Sequence, residues 1–178
     1  MKSIRKEGIA METEFSKALQ SDFRNGIIPE DMDWFGSLVG EWDIIWKENY
    51  GKENETVYKG EWIFQRILNG CGIQDLFIVP SREERKHLNL PNAEYGTTIR
   101  MYRPDEKCWE IYYTCIGEYT RLQARKENEK IVLTELSRNK MKWIFSDITD
   151  NSFHWENVMI NDNGEWEVMC DCQANRRV

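Results

Sequence analysis

GEWDIIW, residues 40–46, is the stretch on which the fold turns. It opens with Gly-x-Trp, runs on through apolar residues, and marks a change in the texture of the chain. From Glu41 onward, short β-rich runs alternate with turn signals at close spacing. GEWDIIWKEN ends at Tyr50-Gly51, TVYKGEWIFQRIL at Asn69-Gly70, and GIQDLFIV at Pro80-Ser81. After a longer connection come YGTTIRMYR, KCWEIYYTCI and YTRLQARK, closed by Pro104-Asp105, Gly117 and Glu127-Asn128. KIVLTEL, MKWIFSDIT, SFHWENVMI and EWEVMCDCQANR complete the series, with Asn, Asp and Gly at the breaks. That is about ten strands with no convincing helix between them, which argues against a βαβ parallel sheet. Antiparallel neighbours joined by short loops are the economical connection. Such a series can form a sandwich or a closed barrel; closing the sheet removes its exposed edges and leaves room for one ligand.

Upstream the pattern is helical. In TEFSKALQSDF, residues 13–23, Phe15, Leu19 and Phe23 recur at i, i+4 and i+8, and Asn25-Gly26 is the expected stop. The spacing predicts an amphipathic helix there and a short turn over Glu30 to Leu38. The expected organisation is therefore a tail and helix over 1–33, packed on a barrel domain over 34–178. The connection from Pro80 to Glu94 is charged, holds Pro91, and is expected to lie over one end of the barrel; His87 within it could swing over the mouth.

A chain of 178 residues suffices for one domain and one sizeable core. Its net charge of −7, with no block of Lys and Arg, argues against nucleic acid as a partner. No basic amphipathic stretch, apolar span or secretory leader is visible, so a cytoplasmic protein that does not engage membranes is expected. Five cysteines at irregular spacing read as reduced thiols. Cys170 and Cys172 share a strand face but lack the other ligands of a structural zinc site, so neither metal nor cofactor is expected.

The stretch WFGSLVGEWDIIW resembles the start of calycin and lipocalin-like proteins. The later runs GEWIFQRILNGCGIQDLF, YGTTIRMYRPDEKCWEIYY, MKWIFSDITDNSFHW and GEWEVMCDCQANRR are similar to small bacterial lipocalin-like proteins, so the resemblance spans Trp34 to Arg177. It implies a calycin-like up-and-down β-barrel. It also implies that Trp42 closes one end of the barrel, with an arginine of the last strand, Arg176 or Arg177, stacked on it.

Residues that break the apolar alternation are the candidates for chemistry. In GIQDLFIV, Gln74 and Asp75 lie on opposite faces of a core-like strand. A carboxylate there needs a partner, and Arg100 of TTIRMYR, sharing a face with Thr98 and Tyr102, is the natural one. The pair reads either as a tie between two strands or as a polar anchor for a ligand. Aromatic walls are expected from Trp62 and Phe64, Trp109 and Tyr113, Trp143 and Phe145, and Phe153 and Trp155, each pair two apart and so on one face. Eight Trp, seven Tyr and seven Phe are many for one small domain, which favours an aromatic-lined pocket. His154 alternates with Phe153 and Trp155 and should face away from them. No phosphate loop, paired-histidine motif or nucleophile elbow occurs, and the nearest acid–base pairing is Asp75 with Glu61 or Glu135.

The leading expectation is binding of a small, partly apolar molecule. Asp75 and Arg100 would anchor it with help from Gln74 and Tyr102, between walls of Trp62, Trp109, Tyr113, Trp143 and Trp155. The alternatives are a cofactor-independent enzyme using the same cavity, and a filled barrel that acts through protein contacts. Nothing in the sequence excludes a homodimer.

Overall fold

The computed structural model describes residues 13–88 and 93–177. The first twelve residues, residues 89–92 (Pro91 of the long connection among them) and Val178 lie outside the described residues. Ten strands follow one short helix, α1 (Glu14–Leu19). They are β1 (Gly40–Glu48), β2 (Thr56–Ile67), β3 (Gly72–Ile78), β4 (Tyr95–Arg103), β5 (Cys108–Cys115), β6 (Glu118–Glu127), β7 (Lys130–Glu135), β8 (Met141–Ser146), β9 (Ser152–Ile160) and β10 (Trp166–Arg176). Each pairs antiparallel with its sequence neighbours, and β10 returns to pair with β1, closing the barrel. The connections use the turn residues that the chemistry demands: Asn49, Asn69, Asn128 and Asn139 adopt positive φ, as do Gly51, Gly70 and Gly117.

Alternation along each strand sends one set of side chains inward. Trp42, Ile44 and Trp46 of β1 stand opposite Trp62, Gly60 and Tyr58 of β2, and opposite Arg176, Ala174 and Cys172 of β10. Gly60 is inward because nothing larger fits: a Cβ there would lie 2.8 Å from both the Ile44 side chain and the Ile78 carbonyl. In β10 the alternation is interrupted. The register shifts between Val168 and Cys170, so a bulge at Met169 turns Cys170 inward opposite Asn157 while Val168 stays on the outer wall beside Val158.

One end of the barrel is plugged. Ile28, Phe35 and Leu38, from the segment between α1 and β1, are fully buried there. Phe35 meets the Trp109 ring edge-on at 5.4 Å, and the indole N–H of Trp109 donates to the Met32 carbonyl at 2.8 Å. Trp42 is fully buried and donates to the Leu38 carbonyl at 2.8 Å. Above it stands the Arg176 guanidinium, 4.1 Å from the ring centroid, a cation–π contact. Arg177 takes a different course, along the outer wall to Asp43 and Glu41.

The expected long amphipathic helix is not formed. Helix α1 spans six residues and buries none of them, and Phe15 and Phe23 are 75% and 54% exposed. Backbone pairing wins instead. The amides of Ser21 and Leu68 bond to Arg66 and Leu19, and Gln20 bridges Ile67, so the chain runs extended along the end of β2. No described helix is long and apolar enough to cross a membrane.

Candidate functional site

The end opposite the plug is open and leads into a recess of about 230 Å³. At roughly 30 Å³ per water, that is room for a small organic molecule. Its walls are the inward faces of the upper strands: Trp46 from β1, Trp62 from β2, Phe77 from β3, Tyr113 from β5, Trp143 from β8 and Trp155 from β9. These rings pack on each other largely edge to face. Trp62 meets Phe77 at 4.8 Å, Trp46 meets Phe77 at 5.1 Å and Tyr113 meets Trp143 at 5.2 Å, the arrangement that ring quadrupoles favour. The indole N–H groups of Trp62, Trp143 and Trp155, and the Oδ1 of Asn157, are shielded from solvent and have no hydrogen-bond partner in the protein. Each such group costs about 1–3 kcal/mol while it stays unpaired.

Carboxylates crown the recess. Glu48, at the end of β1, and Glu118, at the start of β6, are exposed at its edge, while Glu94 is half-buried just before β4. The Tyr113 hydroxyl donates to Glu94 Oε1. Burial raises the Glu94 carboxyl above its ordinary range, against the lowering effect of that bond, and Glu118, Glu48 and Asp75 push the same way. Burial also raises the Tyr113 phenol, with Glu94 adding to it. The Cys170 thiol is pushed up to about 12 by burial and by Glu48 and Glu94, and full burial raises the Cys172 thiol well above its ordinary range. Neither is a ready thiolate.

Against the residues chosen from the sequence, this geometry makes a division. Trp62, Tyr113, Trp143 and Trp155 come together at the recess. Asp75 and Arg100 face inward and pair, with Arg100 Nη1 2.5 Å from Asp75 Oδ2 and the side chains 1% and 0% exposed. They do not line the recess, however. They sit toward the plug, where the Arg100 guanidinium lies over the Phe35 and Phe64 rings at 5.0 and 5.2 Å. The Thr98 amide donates to the other oxygen of Asp75 at 3.2 Å, and Thr98 itself borders the recess. Tyr102 and Trp109 are buried at the plugged end, 5.8 Å apart. Gln74, one residue from Asp75, lies by alternation on the outer wall and donates to the Thr97 hydroxyl at 3.0 Å. It shares no face with the other candidates.

The acid–base pairing weighed for Asp75 is not assembled. Glu61 is on the outer face, bound by Arg82 at 2.7 Å, which lowers its carboxyl. The Glu135 carboxylate accepts from the backbone amides of Ser137 and Arg138, at 2.9 and 3.0 Å. His154 is on the outer wall, as its alternation with Phe153 and Trp155 requires. It lies between Ser146 Oγ at 3.3 Å and Asp171 Oδ2 at 2.5 Å. With Glu156 these groups place three potential ligand atoms within 4.8 Å of one another. Lys47 stands 3.8 Å from Asp171 and supplies a positive charge there already. His87 is exposed on the long connection, which Arg85 fastens through the carbonyls of Val79 and Pro80.

The sequence reading did not choose Trp46, Phe77, Met141 or Cys170 as lining, and it missed the polar residues Glu48, Glu94, Thr98, Glu118, Thr120 and Asn157. Asn157 carried a signal, since it shares the parity of Phe153 and Trp155 and so breaks an aromatic face with an amide. Glu48 shares the parity of Trp42 and Trp46 in the same way.

Comparison with known proteins bears on the architecture. The crystal structure of Rv2717c from M. tuberculosis superposes with a TM-score of 0.53 at 10% sequence identity, covering 85% of this chain and 99% of that one. The likeness is one of fold. No family model matches the chain, and no curated protein matches it. The closed, ten-stranded antiparallel barrel of this chain fits a calycin-like fold.

Proposed function

We propose that this protein is a small-molecule-binding barrel of the lipocalin-like kind, whose ligand enters the open end and lies in the aromatic recess. One observation carries the reading. Four residues that line one concave, aromatic-walled space, Trp62, Trp143, Trp155 and Asn157, each carry a buried polar atom without a protein partner. Binding sites pair an apolar wall with a few polar groups that fix orientation. The ligand that fits is flat, partly apolar, and carries an acceptor for the indoles. The Trp42–Arg176 stack and the Gly-x-Trp strand opening support the lipocalin-like assignment, and five free cysteines fit a reducing, cytoplasmic setting. Asp75 and Arg100 serve this function from beneath, by fixing β3 to β4 under the recess.

Isothermal titration with benzamide and 2-phenylethanol tests the reading, because both are small aromatics with an acceptor oxygen. Saturable one-to-one binding that shifts tryptophan emission is the expected result. Replacing the half-buried Thr120 at the mouth by Trp should fill the space and abolish binding while the barrel stays folded. Binding that persists undiminished in Thr120→Trp would place the ligand elsewhere and overturn the proposal.

A further inference from the structure

The electrostatic character of the mouth narrows the ligand further. Three of the groups that border the recess are carboxylates, Glu48, Glu94 and Glu118, contributed by β1, the β3–β4 connection and β6. No lysine or arginine borders it among the described residues. Of the basic side chains on the surrounding elements, Arg100 faces inward but is paired with Asp75 beneath the recess, and those nearest the mouth are engaged on the outside. Lys47 reaches toward Asp171, Arg121 lies over the Tyr112 ring at 5.5 Å, and Lys142 lies over the Trp166 ring at 4.8 Å. Arg85 is nearest to Glu94, but its guanidinium donates to the carbonyls of Val79, Pro80 and Glu94 and rests on the Tyr95 ring. The carboxylates therefore face the opening without a counter-charge.

Beneath the carboxylates the walls are ring faces and edges. A cleft with low-dielectric walls concentrates the field of the charges around it. The negative faces of indole and phenol rings attract a cation further once it is desolvated. Both effects act in one direction. An anion entering this recess meets three carboxylates and no donor of positive charge, whereas a cation meets carboxylates first and aromatic faces below.

Resting on the binding function argued above, we infer that the recess selects small organic cations: a protonated or quaternary amine held at the Glu48–Glu94–Glu118 rim, on a flat body whose acceptor reaches the indoles.

Three probes matched in size but differing in charge test this: 2-phenylethylamine, 2-phenylethanol and 3-phenylpropionate, titrated calorimetrically at neutral pH and low salt. The amine is expected to bind about tenfold more tightly than the alcohol, with the acid weakest and the amine's advantage shrinking in 0.5 M salt. The double variant Glu48→Gln/Glu118→Gln changes exposed side chains, so the barrel folds, and circular dichroism and a thermal melt check that it does. It should bring the amine down toward the alcohol. If alcohol and amine bind equally well, the charge selectivity is overturned while the binding recess stands. An amine preference that survives the double variant and Glu94→Gln overturns the rim as its source. If none of the three binds, the recess reading and this inference fall together.

Discussion

Arg100 and Asp75 meet at 2.5 Å where neither side chain touches water, and the guanidinium lies over two phenyl rings. The contact is a close approach of charges rather than a well-aligned hydrogen bond, since Nη1 and Oδ2 lack good bonding geometry. Removing one partner strands the other as a buried charge. Asp75→Ala should therefore cost about 3–5 kcal/mol of unfolding free energy, read by urea denaturation. Asp75→Leu combined with Arg100→Met should recover most of that loss, because an apolar pair of similar bulk leaves no stranded charge. A double variant no more stable than the single one would contradict this account.

Glu94 makes stability depend on pH in the direction opposite to most carboxylates. Its folded-state pKa is raised above the ordinary 4.5, mainly by burial, so the folded protein holds this proton more tightly than the unfolded chain does. Its contribution is fully present below about pH 4.5 and is lost as pH rises through the folded-state value. Of the groups around it, Glu48, Glu118 and Asp75 add negative charge and act in the same sense, while the hydrogen bond from the Tyr113 hydroxyl opposes them without reversing the shift. Glu94→Gln should remove this component. Wild type and variant compared by denaturation between pH 5 and 7.5 should diverge progressively in the variant's favour as pH rises.

Gly96 is small because Tyr113 lies against it. A Cβ at residue 96 would stand 2.8 Å from Tyr113 Cε2 and 3.1 Å from its hydroxyl. Gly96→Ala should push the phenol aside, break its bond to Glu94 and cost about 1–3 kcal/mol. Near-ultraviolet circular dichroism, sensitive to the Tyr113–Trp143 contact, should change with it. An unaltered spectrum would show that the ring has other room.

Arg176 holds the plugged end together through several carbonyls at once. Its guanidinium donates to Val39 at 2.9 Å, Ser37 at 2.7 Å and Asp150, besides covering Trp42. Arg176→Ala should cost about 2–4 kcal/mol, and Arg176→Lys should recover only a minor part, because one ammonium cannot span three acceptors in a planar fork. Arg177→Ala should cost at most about 1 kcal/mol, because its closest partners Asp43 and Glu41 are exposed and the more distant Glu61 keeps its bond to Arg82. The contrast between adjacent arginines is the measurement.

The barrel was legible in the sequence because period-two alternation broken by Asn, Asp and Gly is a local signal, repeated ten times. The Asp75–Arg100 pairing was legible for a related reason: consecutive strands of a meander are neighbours, so a carboxylate and a guanidinium with inward parity have few other places to go. What was hidden depends on closure. Whether Glu48, Glu94 and Glu118 share one rim is decided by strand lengths and stagger around the whole barrel. The bulge at Met169, which turns Cys170 inward, leaves no mark in composition. Helix α1 failed for the opposite reason. Its apolar spacing is real, but exposed Phe15 and Phe23 show that periodicity forms a helix face without supplying a surface to bury it.

The seam between β1 and β10 carries a cost in time. Trp42 pairs with Arg176, so the first strand to be synthesised must wait for the last before its second edge is covered. Until then a growing chain presents an open sheet with an unpaired edge at each end, the form most prone to pairing with a neighbour. Every other pairing joins adjacent strands and can form as they appear. Zipping of hairpins is thus early and local, and closure is a single late event over nearly the full length of the barrel. On the ribosome, the protein has a core to complete only when its tenth strand arrives.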